Sequence, residues 1–519
     1  MATTVNDVMK QFRAILDTIP KSTLKIYRNK PRAITKQGRY IYNDSANTVD
    51  RIKYNGSIVV EAKSGNDRIS AYNGGTNSIY AIYGDAGNDT INVYGGTVLI
   101  DAGTGNDRIN VKGGDAVVIS AYKGDDIINV TGGTSVAIDA SAGADTINLK
   151  RGNNRIVIAG TGNDKVNITG GSDHLIAASA GNDIIRISAG SRHVIAGEAG
   201  NDRFYLNEGI GNKVMIGGGA NNDIVNVYSG SGHMISGGLG TDTIRLLKGT
   251  GNSLTIEADG SSDTINVYSG SRHTIRGGVG TDTININKGT GSSLYIYGDG
   301  SNDTINIRAG SKHWVEGGTG LDRISVAAGS GSSISGNDNN DAITVSGGTG
   351  HFIWGDAGND RISIKGGREM EIYPGEGTDT VTVSGGYMHT IHSESGTNII
   401  NISSPSVTLE QRSTEAKDIV NVNWNWKTGA AVLIIDTSSN NEAIYNDELV
   451  IKNAVSDDFK FTYFESDDTL AITMNDSESL IGITINDWLG SNTPFSKISF
   501  AGDGVTLNPT QVWNKVEFK

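Results

Sequence analysis

The chain has 519 residues, of which 71 are glycine and none is cysteine, and its formal net charge is −14 at pH 7. The absence of cysteine excludes disulfides and thiolate metal sites. The sequence contains no run of 18 apolar residues, so no membrane-spanning helix is expected. The acidic balance makes nucleic acid a poor partner and cations good ones.

The N-terminal segment, residues 1–40, is predicted to contain an amphipathic helix over 4–19 that ends at Pro20. Two interpretations of the helix stay open: it caps the repeats that follow, or it docks onto another subunit or surface. The segment carries nine basic residues against two acidic ones, which predicts a basic arm. It lacks the apolar core of a secretory signal peptide, so export is expected to use another route.

A glycine-rich turn ending in Asp and leading into a strand, as in Gly87-Asn88-Asp89-Thr90-Ile91, recurs along most of the chain. The interval stays near 20 residues and alternates between 19 and 21 from Asp202 to Asp322. A fixed period of this length indicates stacked repeats rather than one globular core. The Asp residues at this position are Asp67, Asp89, Asp107, Asp126, Asp145, Asp164, Asp183, Asp202, Asp223, Asp242, Asp263, Asp282, Asp303, Asp322, Asp341, Asp360 and Asp379.

Each repeat reads as one coil of two short strands. Side chains alternate along a strand, so Ile91 and Val93 point inward while Thr90 and Asn92 point outward. A second inward residue, always Ile or Val, stands seven positions before each of these Asp residues. These patterns predict an all-β protein, a parallel β-roll or β-helix solenoid of about 17–18 coils over residues 41–400.

The C-terminal segment, residues 401–519, is predicted to be a small β domain that caps the solenoid. Glycine becomes less frequent there, and alternating runs such as Leu470-Ala471-Ile472-Thr473-Met474 appear. A cap is expected because an open solenoid end exposes an unpaired strand edge. Asp418 is interpreted as an isolated remnant of the repeat, and four tryptophans are expected to pack in this cap: Trp424, Trp426, Trp488 and Trp513.

The stacked Asp residues predict a metal edge. Neighbouring carboxylates one strand spacing apart repel by about 0.9 kcal/mol in water and about 3.5 kcal/mol at an effective dielectric of 20. Glycine lets turn carbonyls point inward, and a cage of carboxylate and carbonyl oxygens suits Ca²⁺, while zinc and copper would call for thiolate or imidazole. The 17 repeat Asp residues from Asp67 to Asp379 are therefore predicted to bind multiple Ca²⁺ ions. The alternative is a hydrogen-bonded ladder of Asp and Asn turns without metal.

The repeats resemble the haemolysin-type, repeats-in-toxin calcium-binding motif, Gly-Gly-x-Gly-x-Asp-x-apolar-x, most closely at residues 84–91 and 355–362. The resemblance implies a parallel β-roll with calcium in its turns, and one-step (type I) export directed by an uncleaved C-terminal signal. Unlike that family, this chain has Asp turns on one edge only, so calcium is expected in a single row. Turns with fewer glycines, as at 142–145, 260–263 and 339–341, are expected to be weaker sites.

Two further columns accompany the Asp residues. Seven of the eight histidines stand at the start of the second strand, which predicts that they cap the short turn; a pH-sensitive or partner-binding stripe is the alternative. An outward Asn or Thr three positions after most Asp residues predicts hydrogen-bonded stacking. Contact with a lattice such as ice or with a repetitive partner is the alternative.

No motif of a nucleophile, metalloprotease or phosphate-binding loop is present, so no enzymatic activity is expected. The leading hypothesis is a secreted calcium-binding structural protein, a subunit of a bacterial surface layer, extracellular filament or matrix. Its expected location is the cell surface or exterior, without a cleaved N-terminal signal, and its expected partners are copies of itself and cell-surface polysaccharide. The alternative is an adhesin that binds carbohydrate, ice or a host surface through the outward ladder. A carbohydrate-active enzyme would need clustered carboxylates on an exposed sheet face, and the sequence shows none.

Overall fold

The computed structural model describes residues 39–42, 48–54, 57–73, 79–114, 116–208, 211–393, 395–411, 417–423, 433–436, 447–474, 482–486, 488 and 495–518. They form an all-β, parallel β-solenoid of about 18 turns, which confirms the predicted fold class. The chain separates into two compact units, Met1–Thr274 and Ile275–Lys519. The predicted helix over 4–19 lies outside the described residues.

Each coil consists of two strands joined by two turns. The turn that ends in Asp, called here the Asp turn, leads into a strand of sheet 1. The opposite turn, called the second turn, leads into a strand of sheet 2. Each strand pairs in parallel with its equivalent in the next coil, so the residues at one position of the repeat form a column one strand spacing apart.

In the first unit both sheets are parallel. The strands of sheet 1 are Thr48–Tyr54, Arg68–Asn73, Thr90–Tyr94, Arg108–Lys112, Ile127–Thr131, Thr146–Lys150, Lys165–Thr169, Ile184–Ala189, Arg203–Leu206, Ile224–Val227, Thr243–Leu246 and Thr264–Val267. Those of sheet 2 are Arg39–Tyr42, Ser57–Glu61, Ile79–Tyr83, Thr97–Asp101, Ala116–Ser120, Val136–Asp139, Arg155–Thr161, Leu175–Ala180, Val194–Ala199, Met215–Ala220, Met234–Leu239 and Thr255–Gly260.

The second unit repeats this arrangement. Its sheet 1 contains Thr283–Ile286, Thr304–Ile307, Arg323–Val326, Ala342–Val345, Arg361–Ile364, Thr378–Val383, Thr397–Ile402, Lys417–Asn423, Asp447–Lys452, Phe495–Phe500 and Val505–Leu507. Its sheet 2 contains Tyr295–Gly300, Trp314–Thr319, Ser333–Asp338, Phe352–Ala357, Glu371–Tyr373, His389–Ser393, Val407–Gln411, Leu433–Asp436, Gly482–Asn486, Thr469–Met474, Phe459–Phe464 and Val516–Phe518. One further strand, Thr274–Val279, and two short helices, Ser456–Asp458 and Pro509–Trp513, complete the described elements.

The core consists of aligned columns of aliphatic side chains. Ile91 pairs with Ile109 and Val93 pairs with Val111, and all four are at most 1% exposed. The Ile or Val seven positions before each Asp is also buried, as the sequence predicts. Burying each such side chain contributes about 1.5–3 kcal/mol. Strict register follows, because a one-residue slip would turn every core side chain outward.

Parallel pairing in the second unit continues beyond residue 400. Lys417–Asn423 pairs with Thr397–Ile402 on one side and with Asp447–Lys452 on the other. The backbone N–H of Asp418 donates to Oδ1 of Asp447 at 2.6 Å. Asp418 therefore continues the Asp column, although its sequence context suggested an isolated remnant.

The last described elements pair differently. Phe459–Phe464 and Thr469–Met474 form an antiparallel hairpin, and the second of these strands pairs in antiparallel fashion with Gly482–Asn486. Trp488 is 2% exposed, and Trp513 packs edge-on against Tyr463 with ring centroids 5.5 Å apart. Both tryptophans pack as predicted, while Trp424 and Trp426 lie outside the described residues.

Candidate metal centre

Every predicted Asp ligand is buried at the end of an Asp turn, with at most 2% of its surface exposed. From Asp89 to Asp263 and from Asp303 to Asp379, the Oδ1 of each Asp accepts the backbone N–H of the Asp in the preceding coil. Asp107 N–H donates to Asp126 Oδ1 at 2.6 Å, and Asp341 N–H donates to Asp360 Oδ1 at 2.7 Å. In each unit these bonds form a continuous ladder, so each carboxylate satisfies a turn donor that the sheets leave over.

Where the residue before the Asp is Asn, its side chain forms a second set of bonds that runs in the opposite direction. Asn106 N–H donates to Asn88 Oδ1 at 2.8 Å, and Asn359 N–H donates to Asn340 Oδ1 at 2.7 Å. These Asn side chains are exposed. The recurring Asn-Asp pair therefore has a local explanation: two neighbouring backbone donors each receive a side-chain oxygen, one from the preceding coil and one from the next.

The Asp turn contains two residues in the left-handed region, as at Asp85 with φ 68° and Gly87 with φ 130°. A Cβ on Gly87 would lie 1.9 Å from the carbonyl oxygen of Gly65, so close coil stacking requires glycine there. Ser261 and Asn339 occupy the equivalent position with φ near 80°. The turns with fewer glycines thus keep a positive φ.

The second carboxylate oxygen has a different environment. Within the described part of the chain, Oδ2 is buried and accepts no hydrogen bond at Asp89, Asp107, Asp126, Asp145, Asp164, Asp183, Asp202, Asp223, Asp242, Asp303, Asp322, Asp341, Asp360 and Asp379. A buried acceptor without a donor is costly, typically by about 1–3 kcal/mol. Because such an atom recurs in coil after coil, it indicates that each carboxylate is compensated by a bound cation or by a proton.

A second oxygen lies beside Oδ2 where the residue five before the Asp is glycine. A Cβ on Gly218 would be 2.4 Å from Asp223 Oδ2 and 2.3 Å from the carbonyl oxygen of Gly237 in the next coil. Gly298 shows the same pair of contacts, 2.6 Å to Asp303 Oδ2 and 2.3 Å to a carbonyl oxygen. The two oxygens therefore converge inside the turn.

Burial makes these carboxylates hard to ionise. Burial raises the pKa of Asp126 to about 8, the hydrogen bond from the Asp107 N–H opposes the rise, and the charges of Asp107 and Asp145 add to it. Burial raises the pKa of Asp223 and Asp341 to about 8 as well. A compensating cation or proton is therefore favoured at neutral pH.

The donor set determines which ion would suit this edge. It consists of carboxylate and backbone carbonyl oxygens, which Ca²⁺ prefers, with no imidazole in the Asp turns. Among the described residues, no group of three or more His, Cys, Asp or Glu side chains surrounds a common point. A calcium ion here would therefore take most of its ligands from turn carbonyls, with the Asp Oδ2 supplying the charge.

The second turn has its own buried polar column. His233, His273 and His389 are fully buried. The backbone N–H of Leu254 in the preceding coil donates to His273 Nδ1 at 3.1 Å, and His273 Nε2 lies 3.2 Å from the carbonyl oxygen of Ser269. Burial lowers the pKa of His273, so the ring is neutral with its proton on Nε2. The turn-capping interpretation of the histidines is confirmed.

The outward Asn column is also internally bonded. In the first unit the Nδ2 of Asn110, Asn129, Asn148 and Asn167 each donates to Oδ1 of the preceding Asn at 2.9–3.0 Å. This is the hydrogen-bonded stacking that the sequence predicts. Arg186 and Tyr205 then replace Asn, and the guanidinium lies 5.1 Å from the Tyr205 ring centroid.

One group of polar residues on the second unit was not predicted from the sequence. On the outward face of sheet 2, His392 Nε2 lies 2.5 Å from Glu371 Oε2, and its Nδ1 lies 3.0 Å from Glu410 Oε2. The imidazole also stacks on Tyr373 at 4.3 Å between centroids. Carboxylates do gather on an exposed face, contrary to the sequence reading, because the register aligns side chains that are some 20 residues apart in sequence.

No family model matches the chain, and no curated protein matches it. None of the described helices is long and apolar enough to cross a membrane. The class of protein is therefore defined by the fold alone: a parallel β-solenoid with one buried Asp and one buried second-turn column.

Proposed function

We propose that this chain is a secreted, non-enzymatic calcium-binding structural protein of the haemolysin-type, repeats-in-toxin kind. The observation that carries the proposal is the recurring Asp Oδ2, buried and without a hydrogen bond in coil after coil. Calcium bound along this edge would neutralise the column and stiffen the coils. The chain would then serve as a subunit of a surface layer, extracellular filament or matrix.

Repulsion between stacked carboxylates recurs at every coil. A single repelling pair of carboxylates one strand spacing apart costs about 3.5 kcal/mol at an effective dielectric of 20. Few proteins have more than about 5–15 kcal/mol of net stability, so several ionised pairs would exhaust it. Divalent ions bound between coils would reverse the sign of this contribution. Protonation is the competing solution, because burial raises the pKa of Asp107 and Asp379 to about 7.

The same balance supports export in an unfolded form. Where calcium is scarce, repulsion along the ionised Asp column opposes folding, so the chain stays unfolded and can pass through an export channel. Where calcium is abundant, binding supplies folding free energy. The basic N-terminal segment and the acidic remainder are complementary in charge, which favours contacts between copies of the chain.

The test is to remove calcium from the full-length protein at pH 7.5 and follow the β signal by circular dichroism, with metal analysis of the native protein in parallel. We expect several calcium ions per chain and loss of the β signal on chelation, reversed by calcium and not by magnesium. A protein that contains no calcium and keeps its full β signal in chelator contradicts the proposal. Electron microscopy with and without calcium then tests assembly into filaments or sheets.

A further inference from the structure

The outward face of sheet 2 in the second unit carries a notch between aromatic walls. Trp314, Ser333 and Phe352 pair in register on three successive strands, and Glu316, Ser335 and Trp354 do so two residues further along. The middle strand thus offers only serine where its neighbours carry large side chains. The result is a cavity of about 280 Å³ lined by both tryptophans.

The walls of the notch are open to solvent. Trp314 is 48% exposed, which is unusual for a ring of this size. Phe352, which is 41% exposed, stacks on Trp354 with ring centroids 5.9 Å apart. The strands that carry the walls lie two strand spacings apart, about 9.6 Å. After the thickness of the aromatic rings is allowed for, the slot accepts a single flat ring.

The floor and rim of the notch are polar. The Trp314 Nε1–H donates to Glu316 Oε1 at 2.5 Å, which orients the indole. The Ser335 hydroxyl donates to Asp356 Oδ2. Asn337 completes the lining beside Asp356. An occupant would therefore meet aromatic faces on its sides and hydrogen-bond acceptors at its edges.

We propose that this notch binds a neutral saccharide chain, with one pyranose ring held between Trp314 and Trp354. A pyranose presents C–H groups on its faces, which suit the negative faces of aromatic rings, and hydroxyl donors around its rim, which suit Glu316 and Asp356. An apolar peptide would cover the remaining carboxylate oxygens of Glu316 and Asp356 without offering them hydrogen bonds. Anionic polymers would be repelled by the two carboxylates.

The neighbouring coils extend the same chemistry along the stacking direction. Tyr295, on the coil before Trp314, is 49% exposed. Tyr373, on the coil after Trp354, stacks on it with centroids 5.5 Å apart. A saccharide chain that runs along the coils would therefore find an aromatic side chain at nearly every step. The proposal does not depend on calcium binding or on assembly.

The experiment is isothermal titration of the folded full-length protein with cellohexaose, chitohexaose and mannohexaose, and with hexagalacturonate as an anionic probe. Trp314→Ala and Trp354→Ala each remove one wall, and Ser335→Trp fills the slot. Tyr387→Ala is the matched control, because Tyr387 is equally exposed at 47% but lies in a second turn. Thermal melting verifies that each variant is folded.

We expect at least one neutral hexasaccharide to bind, and each tryptophan variant to weaken it about tenfold or more, as for other stacking platforms. Tyr387→Ala should bind as the unmodified protein does, and a folded Ser335→Trp variant should not bind. The proposal is overturned if no neutral probe binds, if only hexagalacturonate binds, or if folded Trp314→Ala and Trp354→Ala variants bind as tightly as the unmodified protein.

Discussion

The two edges of each coil solve the same structural problem with opposite charge chemistry. At the Asp turn, Asp126 Oδ1 accepts the N–H of Asp107 from the preceding coil at 2.6 Å. At the second turn, His273 Nδ1 accepts the N–H of Leu254 from the preceding coil at 3.1 Å. Both side chains are buried, and both tie one coil to the next through a backbone donor.

The difference lies in what remains after that bond is made. A neutral imidazole has one further nitrogen, and His273 Nε2 lies 3.2 Å from a turn carbonyl. An ionised carboxylate has a second oxygen and a full charge. Shaping a turn needs only an acceptor, and at His273 both ring nitrogens are bonded, so a histidine turn can be complete by itself. The Asp edge has additional coordinating capacity, which is why the proposed calcium belongs there.

The largest expected effect is a pH dependence in calcium-free protein. Burial raises the pKa of Asp126 and Asp303 from 3.8 to about 8. This contribution to stability is therefore fully present below pH 3.8 and is lost as pH rises through 8. Each pKa unit corresponds to about 1.36 kcal/mol per carboxyl, so several carboxyls together amount to more than about 5 kcal/mol.

Chemical denaturation between about pH 5 and pH 8 measures this effect. The unfolding free energy of calcium-free samples should fall across the range and reach zero near pH 7.5, where the β signal is lost, and saturating calcium should abolish the fall. If the unfolding free energy changes with pH in the same way with and without calcium, the Asp edge does not differ from the histidine edge in its need for a cation.

The next effect concerns how closely the coils approach at each edge. Gly87→Ala places a Cβ 1.9 Å from the Gly65 carbonyl oxygen at φ 130°, so it should cost about 3 kcal/mol or more. Gly113→Ala, in a second turn, places a Cβ in open space at φ 77° and should cost about 1 kcal/mol. Denaturation midpoints at constant m-value provide the measurement. Equal costs would mean that the two turns are packed alike.

A third prediction concerns acid and the histidine edge. Burial lowers the pKa of His351 from 6.5 to about 4. Its contribution to stability is therefore present above pH 6.5 and is lost as pH falls through 4, a difference of about 3 kcal/mol. His351→Asn keeps an acceptor for the Ser332 N–H and cannot be protonated. The variant should be less sensitive to acid than the unmodified protein, and an unchanged acid limb would argue against a buried neutral imidazole.

The smallest effect separates the two roles of one carboxylate. Asp126→Ala leaves the Asp107 N–H without its acceptor and should cost about 1–3 kcal/mol. Asp126→Asn keeps an oxygen for that bond and removes the charge. In calcium-free buffer at pH 8 the Asn variant should retain as much β signal as the unmodified protein or more, whereas in calcium it should bind fewer ions. If the Asn and Ala variants behave alike in calcium-free buffer, the charge has no part in the Asp edge.

Much of the fold was predictable because the repeat is strict. The two-residue alternation around Ile91 and Val93 determined which side chains face inward, and the Asp interval determined the register. The candidate ligands were found for the same reason. The sequence could not reveal that the two carboxylate oxygens have different roles, with Oδ1 accepting a backbone N–H and Oδ2 left without a donor. That difference depends on which atoms of the neighbouring coil lie within hydrogen-bond distance.

The aromatic notch was within reach of the sequence but required a further alignment. Trp314, Ser333 and Phe352 each stand eight residues before an Asp of the repeat. Placing the outward residues in columns would have brought them side by side. The Asp and Asn columns alone do not show this alignment. They also do not show the contacts of His392 with Glu371 and Glu410.

The alternation at the second turn has a consequence for how such a chain can change in length. His193, His233 and His273 stand 40 residues apart. In the coil between the last two, Thr250 instead bonds through its hydroxyl to the carbonyl oxygens of Val227 and Leu247 at 2.9 and 2.8 Å. Deleting one coil would set two turns of the same kind against each other, while deleting two preserves every neighbour. Gain or loss of repeats by recombination is therefore expected in steps of two coils, with the pair as the heritable unit.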